Sequence, residues 1–333
     1  MTDARSNAPR DETVGAVRRE GAVRREGAAA EGGRPEARAH RSSRRARAER
    51  PRPVDPSRAL RGTARPLDAW DPRPRILVTN DDGIDSRGLA ALARALDAVG
   101  EVFVIAPESN QSTVGHLKTM LRPLRIRERR MDDDRRGWAI DGSPTDAVSA
   151  AFLGFFGHGF DLVASGINYG NNLGDDMTYS GTVSAAMEAV INGCPAFAIS
   201  QALNGDVDFA LAERAAVVVA RGILEYGLGP GELLNVNVPA LPVEACGGIE
   251  VTRLGQRVYQ DELVERVDPR GLPYYWIGGQ PPSGVAAPGT DFSAVEEGRV
   301  SVTPIHLDLT ARGLLRRLGD WGLELPPHDA AAG

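Results

Sequence analysis

The stretch ILVTNDDGIDSRGLAAL, residues 76–92, decides the fold. It begins with a short apolar run that predicts a buried strand, and it ends with leucines at helical spacing that predict an amphipathic helix. Between them Asp81 and Asp82 stand side by side, followed by Gly83. Like charges at a strand end repel each other, and a turn needs only one Asp or Asn. The pair is therefore either solvated turn chemistry or half of a site that binds a cation.

The same alternation of strand and helix continues to about residue 239. Further strand patterns are EVFVIAP (101–107), FDLVASGIN (160–168), PAFAIS (195–200) and LLNVNVP (233–239). Further helix patterns are DAVSAAFLGFF (146–156), TVSAAMEAVING (182–193) and FALAERAAVVVARGILEYG (209–227). The alternation predicts an α/β fold: a three-layer, Rossmann-like, mostly parallel sheet with helices on both faces.

The two ends of the chain have a different character. The first 74 residues contain 18 Arg, the direct repeat AVRREGAVRREGA and hardly any large apolar residues. Such a segment cannot bury enough surface to offset the entropy of ordering, so we expect residues 1–74 to be a disordered tail. The expected domain is 75–322, with a second disordered tail over 323–333. Within that domain, 249–300 predicts a β-rich excursion without intervening helices, which projects and serves oligomer contacts.

Charge and composition exclude several classes of protein. The first 74 residues carry +7 and the whole chain −6, so the remainder carries −13. An acidic body suits cation binding and argues against a stable nucleic-acid partner. No apolar run approaches the length of a transmembrane helix, and the N-terminus lacks a secretory signal, so no membrane partner is expected. Since Cys194 and Cys246 have no metal-type spacing, a reducing, cytoplasmic location fits best.

Polar side chains follow the strand patterns at four places. These are Asp81–Gly83, the segments 107–116 and 165–172, and Tyr179–Thr182, which opens a helix. Because the carboxyl ends of parallel strands meet at one edge of a sheet, we expect the four loops to lie together. Two carboxylates, a hydroxyl and a carboxamide form an all-oxygen ligand set, suited to Mg²⁺, Mn²⁺ or Ca²⁺. The helix start at Ser180–Thr182 offers N–H groups and hydroxyls to an anion.

Each of these patterns also has a purely structural interpretation. Asp82-Gly83 can be a turn, and Ser180 or Thr182 can be an N-cap. The pattern Ser143–Asp146 predicts a capping box rather than catalysis, and single histidines such as His116 and His306 are more often structural. The P-loop pattern, a GxGxxG after the first strand and the GxSxG elbow are all missing, which argues against those enzyme classes.

Several long motifs together resemble the SurE family of stationary-phase survival nucleotidases. They are ILVTNDDGI, VFVIAPESNQSTVGH, DGSPTDAV, SGINYGNNLGDDMTYSGTVSAAMEA and SVTPIHLDLT. They follow the family's order from about residue 75 to about residue 320. The resemblance implies a metal-dependent phosphatase that hydrolyses nucleoside 5′- and 3′-monophosphates by metal-activated water, and in some members short polyphosphate.

The resemblance also implies a site. One divalent cation per subunit, Mg²⁺ or Mn²⁺ (or Ca²⁺ in crystals), would be held by Asp81, Asp82, Ser112 and Asn168. Asp81, Asp82 and Asn168 would then be catalytic, and Ser180, Gly181 and Thr182 would contact the phosphate. His116 is a candidate for the acid that protonates the leaving oxygen. Family members are homodimers or homotetramers that partly exchange C-terminal segments.

Two other functions stay open at the level of sequence. Asp81 can be a covalent nucleophile, although aspartyl-phosphate phosphatases usually place a second Asp two residues on, where this chain has Gly83. Alternatively, the protein can be a regulator that binds a metal and a nucleotide. A regulator would bind adenosine monophosphate and release no phosphate.

Overall fold

The structure, a computed structural model, describes residues 73–203, 208–258, 261–279 and 283–325. Its strands are β1 (Arg75–Thr79), β2 (Glu101–Pro107), β3 (Ile126–Arg130), β4 (Arg136–Ile140), β5 (Leu162–Tyr169), β6 (Ala196–Gln201), β7 (Glu232–Val238), β8 (Ile249–Val251), β9 (Gln256–Val258), β10 (Asp261–Val267), β11 (Pro273–Gly279), β12 (Ser283–Val285) and β13 (Val300–His306). Its helices are α1 (Arg87–Leu96), α2 (Pro144–Ala150), α3 (Gly181–Ile191), α4 (Ala210–Tyr226), α5 (Asp291–Glu296) and α6 (Arg312–Gly319). The expected tails over 1–74 and 323–333 lie outside the described residues, apart from 73–74 and 323–325.

Nine strands form one sheet in the order β3-β4-β2-β1-β5-β6-β7-β13-β8. The pairs from β4 through β7 are all parallel, whereas β3 and β13 run antiparallel to β4 and β7. The mostly parallel α/β sheet that the alternation predicts is therefore confirmed. From β1 the chain moves to β2 on one side and later returns to β5 on the other, which makes the β1–β5 junction a topological switch point. Ligands of such sheets bind beyond the carboxyl ends of the strands at that point.

Helices cover both faces of the sheet, so the central strands are apolar in succession rather than alternating. Ile76 and Val78 of β1 pack in the core under α1 and α4, and Leu77 packs in the core under α2 and α3. Helix α1 approaches β5 closely, because a Cβ at Gly88 would lie 2.0 Å from the carbonyl oxygen of Ile167. The hydrophobic cores on the two faces of the sheet thereby fix the strand ends that carry the polar loops.

Two parts of the fold differ from the sequence expectation. The edge strand β3, with sequence IRERR, carries no apolar pattern because its side chains are largely exposed. The expectation of no helix within 249–300 is wrong, since α5 forms there. Helix α6 lies beyond that region and was not predicted. Helix α5 is only six residues long, too short to show a periodicity, and its N-terminus is capped by the Thr290 side chain.

Within the 249–300 region, β10 and β11 form an antiparallel hairpin. Its side chains include large apolar groups in water: Trp276 is 64% exposed and Ile277 81%. An exposed apolar ribbon of this kind is unusual for a surface that stays in water. None of the helices in the described ranges has the length and apolar character needed to cross a membrane.

Candidate active site

The turn after β1 is held by Asn80, not by the two aspartates. The buried Asn80 side chain accepts a hydrogen bond from the Gly83 N–H at 3.2 Å and donates one to the Gly83 carbonyl at 3.1 Å. Gly83 has φ +104°, a left-handed conformation that favours glycine. The turn interpretation of Asp82-Gly83 is thus correct for the backbone, and it leaves the carboxylates of Asp81 and Asp82 available for another role.

The loop after β2 is tied to this turn by the backbone. The Gln111 N–H donates to the Asp81 carbonyl at 2.7 Å, and the Ile84 N–H donates to the Pro107 carbonyl at 2.8 Å. Asn110 donates to the Asp82 carboxylate at 3.4 Å and accepts from the Ser112 N–H at 2.8 Å. Ser112 is exposed, and Asn110 connects it to Asp82.

The end of β5 completes a second side of the site. The backbone N–H of Tyr169 donates to the Asp82 carboxylate at 3.2 Å. The Asn168 side chain is almost fully buried, and its Nδ2 donates to the Gly170 carbonyl at 2.8 Å. Because this bond fixes the amide group, Oδ1 is the atom left to act as an acceptor or metal ligand.

Helix α3 begins directly against Asp81. The Thr182 hydroxyl donates to the Asp81 carboxylate. A Cβ at Gly181 would lie 2.7 Å from the Asp81 Cβ, so only glycine fits at the start of this helix. Ser180 accepts from the Val183 N–H at 3.2 Å, which confirms the N-cap interpretation. The start of α3 therefore stabilises the charge of Asp81 with a hydroxyl and with backbone N–H groups.

The two carboxylates are nevertheless unfavourable as they stand. Burial raises the pKa of Asp81. Burial and the neighbouring charge of Asp81 raise the pKa of Asp82 to about 6. No basic side chain of the described residues contributes to the pKa shift of either aspartate. One buried and one half-buried acid with no cationic partner in the described ranges, near hydroxyl and amide oxygens, fit a hard divalent cation.

Glu188, two turns along α3, lies in the opposite situation. Its carboxylate contacts His116 Nε2 at 3.1 Å and accepts hydrogen bonds from Lys118 at 2.9 Å and Ser149 at 2.7 Å. Burial alone would raise its pKa, but the bonds from His116, Ser149 and Lys118 lower the pKa of Glu188 to about 2. His116 is thus engaged with Glu188.

Two other structural interpretations from the sequence are also resolved. Ser143 and Asp146 form the capping box of α2, with the Asp146 N–H donating to the Ser143 hydroxyl at 3.1 Å and the Ser143 N–H to the Asp146 carboxylate at 2.9 Å. His306 accepts a hydrogen bond from the Asp308 N–H at 2.8 Å. The capping-box prediction is confirmed, and His306 has a local structural contact.

A cavity of about 470 Å³ opens at the carboxyl ends of β1, β2 and β5. It is lined by Asp82, Gly83, Asp85, Ser86, Glu108, Ser109, Asn110 and Tyr169. Among the described residues no cluster of three or more His, Cys, Asp or Glu side chains suits a metal. Asn80 and Asn110 belong to this site although the sequence analysis did not single them out.

Comparison with known proteins places this arrangement in a family. Residues 76–261 match the family described as "Survival protein SurE". A protein of Chloroflexus aggregans named 5′-nucleotidase SurE is 49% identical over 75% of this chain and 99% of its own length. A protein of the same name from Geobacter sulfurreducens is 49% identical over 74% of this chain and 94% of its own length.

The fold agrees with a solved structure. The crystal structure of the SurE protein from Aquifex aeolicus superposes with a TM-score of 0.65, at 40% sequence identity, over 74% of this chain and 99% of that chain. The sequence and structure comparisons each cover about three quarters of this chain. The chain belongs to the SurE family.

Proposed function

We propose that this chain is a divalent-metal-dependent phosphomonoesterase that hydrolyses nucleoside 5′- and 3′-monophosphates, with activity on short polyphosphate as a further expectation. The observation that carries the proposal is the pair of buried Asp81 and half-buried Asp82, which lies at the switch point of the sheet and has no cationic partner among the described residues. The relatives' shared name, 5′-nucleotidase SurE, supports the same substrate class.

The proposed ligands of the cation are Asp81, Asp82, Ser112 and Asn168. A bound Mg²⁺ or Mn²⁺ would supply Lewis-acid polarisation of the phosphoryl group and would acidify a water ligand. Asp82 lines the cavity, and its carboxylate would orient the attacking water. Asn110 and the Tyr169 N–H hold that carboxylate in place.

Ser180, Gly181 and Thr182 are the proposed phosphate contacts. Two side-chain groups in this segment already have partners, because the Thr182 hydroxyl donates to Asp81 and the Ser180 hydroxyl caps the helix. Their effect on the phosphate would therefore come mainly from the positive end of α3. Covalent attack by Asp81 is disfavoured by its burial and by its bond to Thr182.

The decisive experiment is phosphate release from a panel of nucleotides, with the protein first stripped by EDTA and then reloaded with Mn²⁺ or Mg²⁺. We expect activity on nucleoside monophosphates only after reloading. Full activity in EDTA would reject the metal site. Tight binding of adenosine monophosphate without phosphate release would instead favour the regulator, and a beryllofluoride adduct on Asp81 would favour the covalent route.

The proposal includes a homodimer or homotetramer and a cytoplasmic location. The exposed apolar side chains of the β10–β11 hairpin, Trp276 and Ile277 among them, support self-association because burying them removes apolar surface from water. Light scattering on the protein and on a Trp276→Ser/Ile277→Ser variant would check this, since the variant should dissociate. Cys194 and Cys246 are free thiols, as suits a reducing compartment.

A further inference from the structure

The cavity beside the two aspartates has one lining residue with a large apolar surface. Seven of its eight lining residues are acidic, small and polar, or glycine, and the eighth is Tyr169. A nucleobase has two planar faces that gain by leaving water, and aromatic side chains are the groups on which bases stack. Within this cavity the tyrosine ring is therefore the surface suited to a base.

Tyr169 is also at the right place along the chain. It is the last residue of β5 and follows Asn168, a proposed metal ligand. Its backbone N–H donates to the Asp82 carboxylate at 3.2 Å. Because neighbouring side chains of a strand point to opposite faces, the ring lies on the other side of the strand end from the amide of Asn168. Tyr169 thus contacts Asp82 with its backbone N–H, lines the cavity, and packs its ring against the core at Phe209.

The ring is held before any ligand arrives. Tyr169 and Phe209 form an edge-to-face pair with centroids 5.4 Å apart and an interplanar angle of 81°. Phe209 is buried at the start of α4, whereas Tyr169 is only half-buried. A ring fixed on one side by a buried neighbour loses little further freedom when a base stacks on it.

We propose that Tyr169 is the stacking platform for the nucleobase, and that it sets a preference for nucleotides over phosphate esters that lack an aromatic base. The inference rests on the proposed function and adds to it the residue that selects the substrate. Purine nucleotides should gain more binding free energy from stacking than pyrimidine nucleotides, because a larger ring system covers more of the tyrosine ring.

The test compares kcat/KM of Tyr169→Leu and Tyr169→Phe on adenosine monophosphate, cytidine monophosphate and ribose 5-phosphate, with Mn²⁺ present. Stacking on an aromatic side chain contributes enough that its loss should lower kcat/KM for adenosine monophosphate about fivefold to a hundredfold in Tyr169→Leu, mainly through KM. The loss on ribose 5-phosphate should be several-fold smaller than the loss on adenosine monophosphate. Tyr169→Phe should keep the wild-type preference.

Ribose 5-phosphate serves as the internal check that the Leu variant is folded and loaded with metal. Tyr226→Leu, at the far end of α4 with a side chain 79% exposed, is the matched tyrosine control and should leave all three rates unchanged. Equal losses on all three substrates, or an unaltered preference in Tyr169→Leu, would overturn the proposal.

Calorimetry of adenosine monophosphate and ribose 5-phosphate binding to the Mn²⁺-loaded protein distinguishes failure of the stacking platform from failure of the nucleotidase proposal. If the wild type binds adenosine monophosphate through Tyr169 and releases no phosphate, the platform stands and the nucleotidase proposal fails. If it hydrolyses both compounds without preferring the nucleotide, the nucleotidase chemistry stands and the platform is rejected.

Discussion

Helix α3 meets buried carboxylates at two levels, and the protein surrounds them differently. At its first turn Asp81 and Asp82 lie together, and their pKa values are raised by burial and, at Asp82, also by the charge of Asp81. Two turns on, Glu188 is as buried as Asp81, but His116, Ser149 and Lys118 lower its pKa to about 2. Asp81 and Glu188 are both buried acids in contact with α3, so the difference between them lies in their partners.

The difference shows which acid is structural. Glu188 has a complete set of donors from the protein, and it joins the loop after β2 to α2 and α3. Asp81 and Asp82 have hydrogen bonds but no basic partner in the part of the chain that the structure describes. Buried charge that a protein leaves without a counter-charge is costly, and such groups concentrate at functional sites. The start of α3 is therefore where we expect a ligand to bind.

The most direct test of this difference removes one charge from the aspartate pair and, separately, the charge of Glu188. Asp82→Asn keeps the shape and should lower kcat for phosphate release about a hundredfold to a thousandfold, because it removes a proposed metal ligand from the reaction centre. Without metal the variant should be at least as stable as wild type, since the repulsion from Asp81 is gone. Steady-state phosphate release and urea unfolding of EDTA-treated protein measure the two effects.

Glu188→Gln is the matched control, with the opposite expected result: lower stability and largely retained kcat. If Asp82→Asn were fully active, or if it destabilised the metal-free protein as much as Glu188→Gln does, Asp82 would not have a functional role distinct from the structural role of Glu188.

From the sequence, the aspartate pair could be recognised as a candidate site, but the buried environment of Glu188 could not. Asp81 and Asp82 stand out in sequence because an apolar strand pattern precedes them and glycine follows. Glu188 lies in SAAMEAV, where a lone glutamate on a helix predicts a solvated face. Its partners come from 39 to 72 residues away along the chain, so only the folded structure brings them together. Local pattern cannot reveal a buried ion cluster assembled over that distance.

The fold shows the same limit. Strands β1 and β2 were predictable because they are buried and apolar in succession. Strand β3 was not, since an edge strand with sequence IRERR is defined by its pairing with β4. The requirement for Gly181 was equally invisible, because it arises from the contact with Asp81, which is 100 residues earlier in sequence. Elements that are specified by their own residues can be predicted, and those specified by a distant neighbour cannot.

The pH dependence of stability tests the structural role of Glu188. Folding lowers the pKa of Glu188 from 4.5 to about 2, so its ionised form stabilises the fold fully above pH 4.5 and loses this contribution as the pH falls toward 2. At pH 7 the contribution is about 3 kcal/mol. Urea unfolding should show a gap of that order between wild type and Glu188→Gln at pH 7, which narrows below pH 4.5. The exposed Glu225→Gln is the control and should show almost no gap; a gap for Glu188→Gln that is constant down to pH 2 would contradict this role.

A divalent cation should do for Asp81 and Asp82 what His116 and Lys118 do for Glu188. Mn²⁺ at a hundred times its Kd should add about 2.7 kcal/mol to the free energy of unfolding of EDTA-treated protein. Since the metal needs ionised ligands and the pKa of Asp82 is about 6 in the metal-free protein, the affinity should weaken as the pH falls below 6. Thermal unfolding over a range of Mn²⁺ concentrations at pH 7.5 and pH 5.5 measures both effects. An equal Mn²⁺ shift in Asp82→Asn would place the ion elsewhere.

The smallest effect concerns Ser180, which is an N-cap and a proposed phosphate contact at once. Ser180→Ala removes the bond to the Val183 N–H and should cost about 1 kcal/mol of stability. Thr290→Ala removes the equivalent cap of α5, a bond of 3.3 Å to the Ser293 N–H, and should cost a similar amount. Only Ser180→Ala should also lower kcat/KM, by about tenfold, because the start of α3 orients Asp81 and faces the phosphate. If both variants lost the same stability and neither lost activity, the start of α3 would act on Asp81 alone, and the phosphate would depend on the cation for its binding.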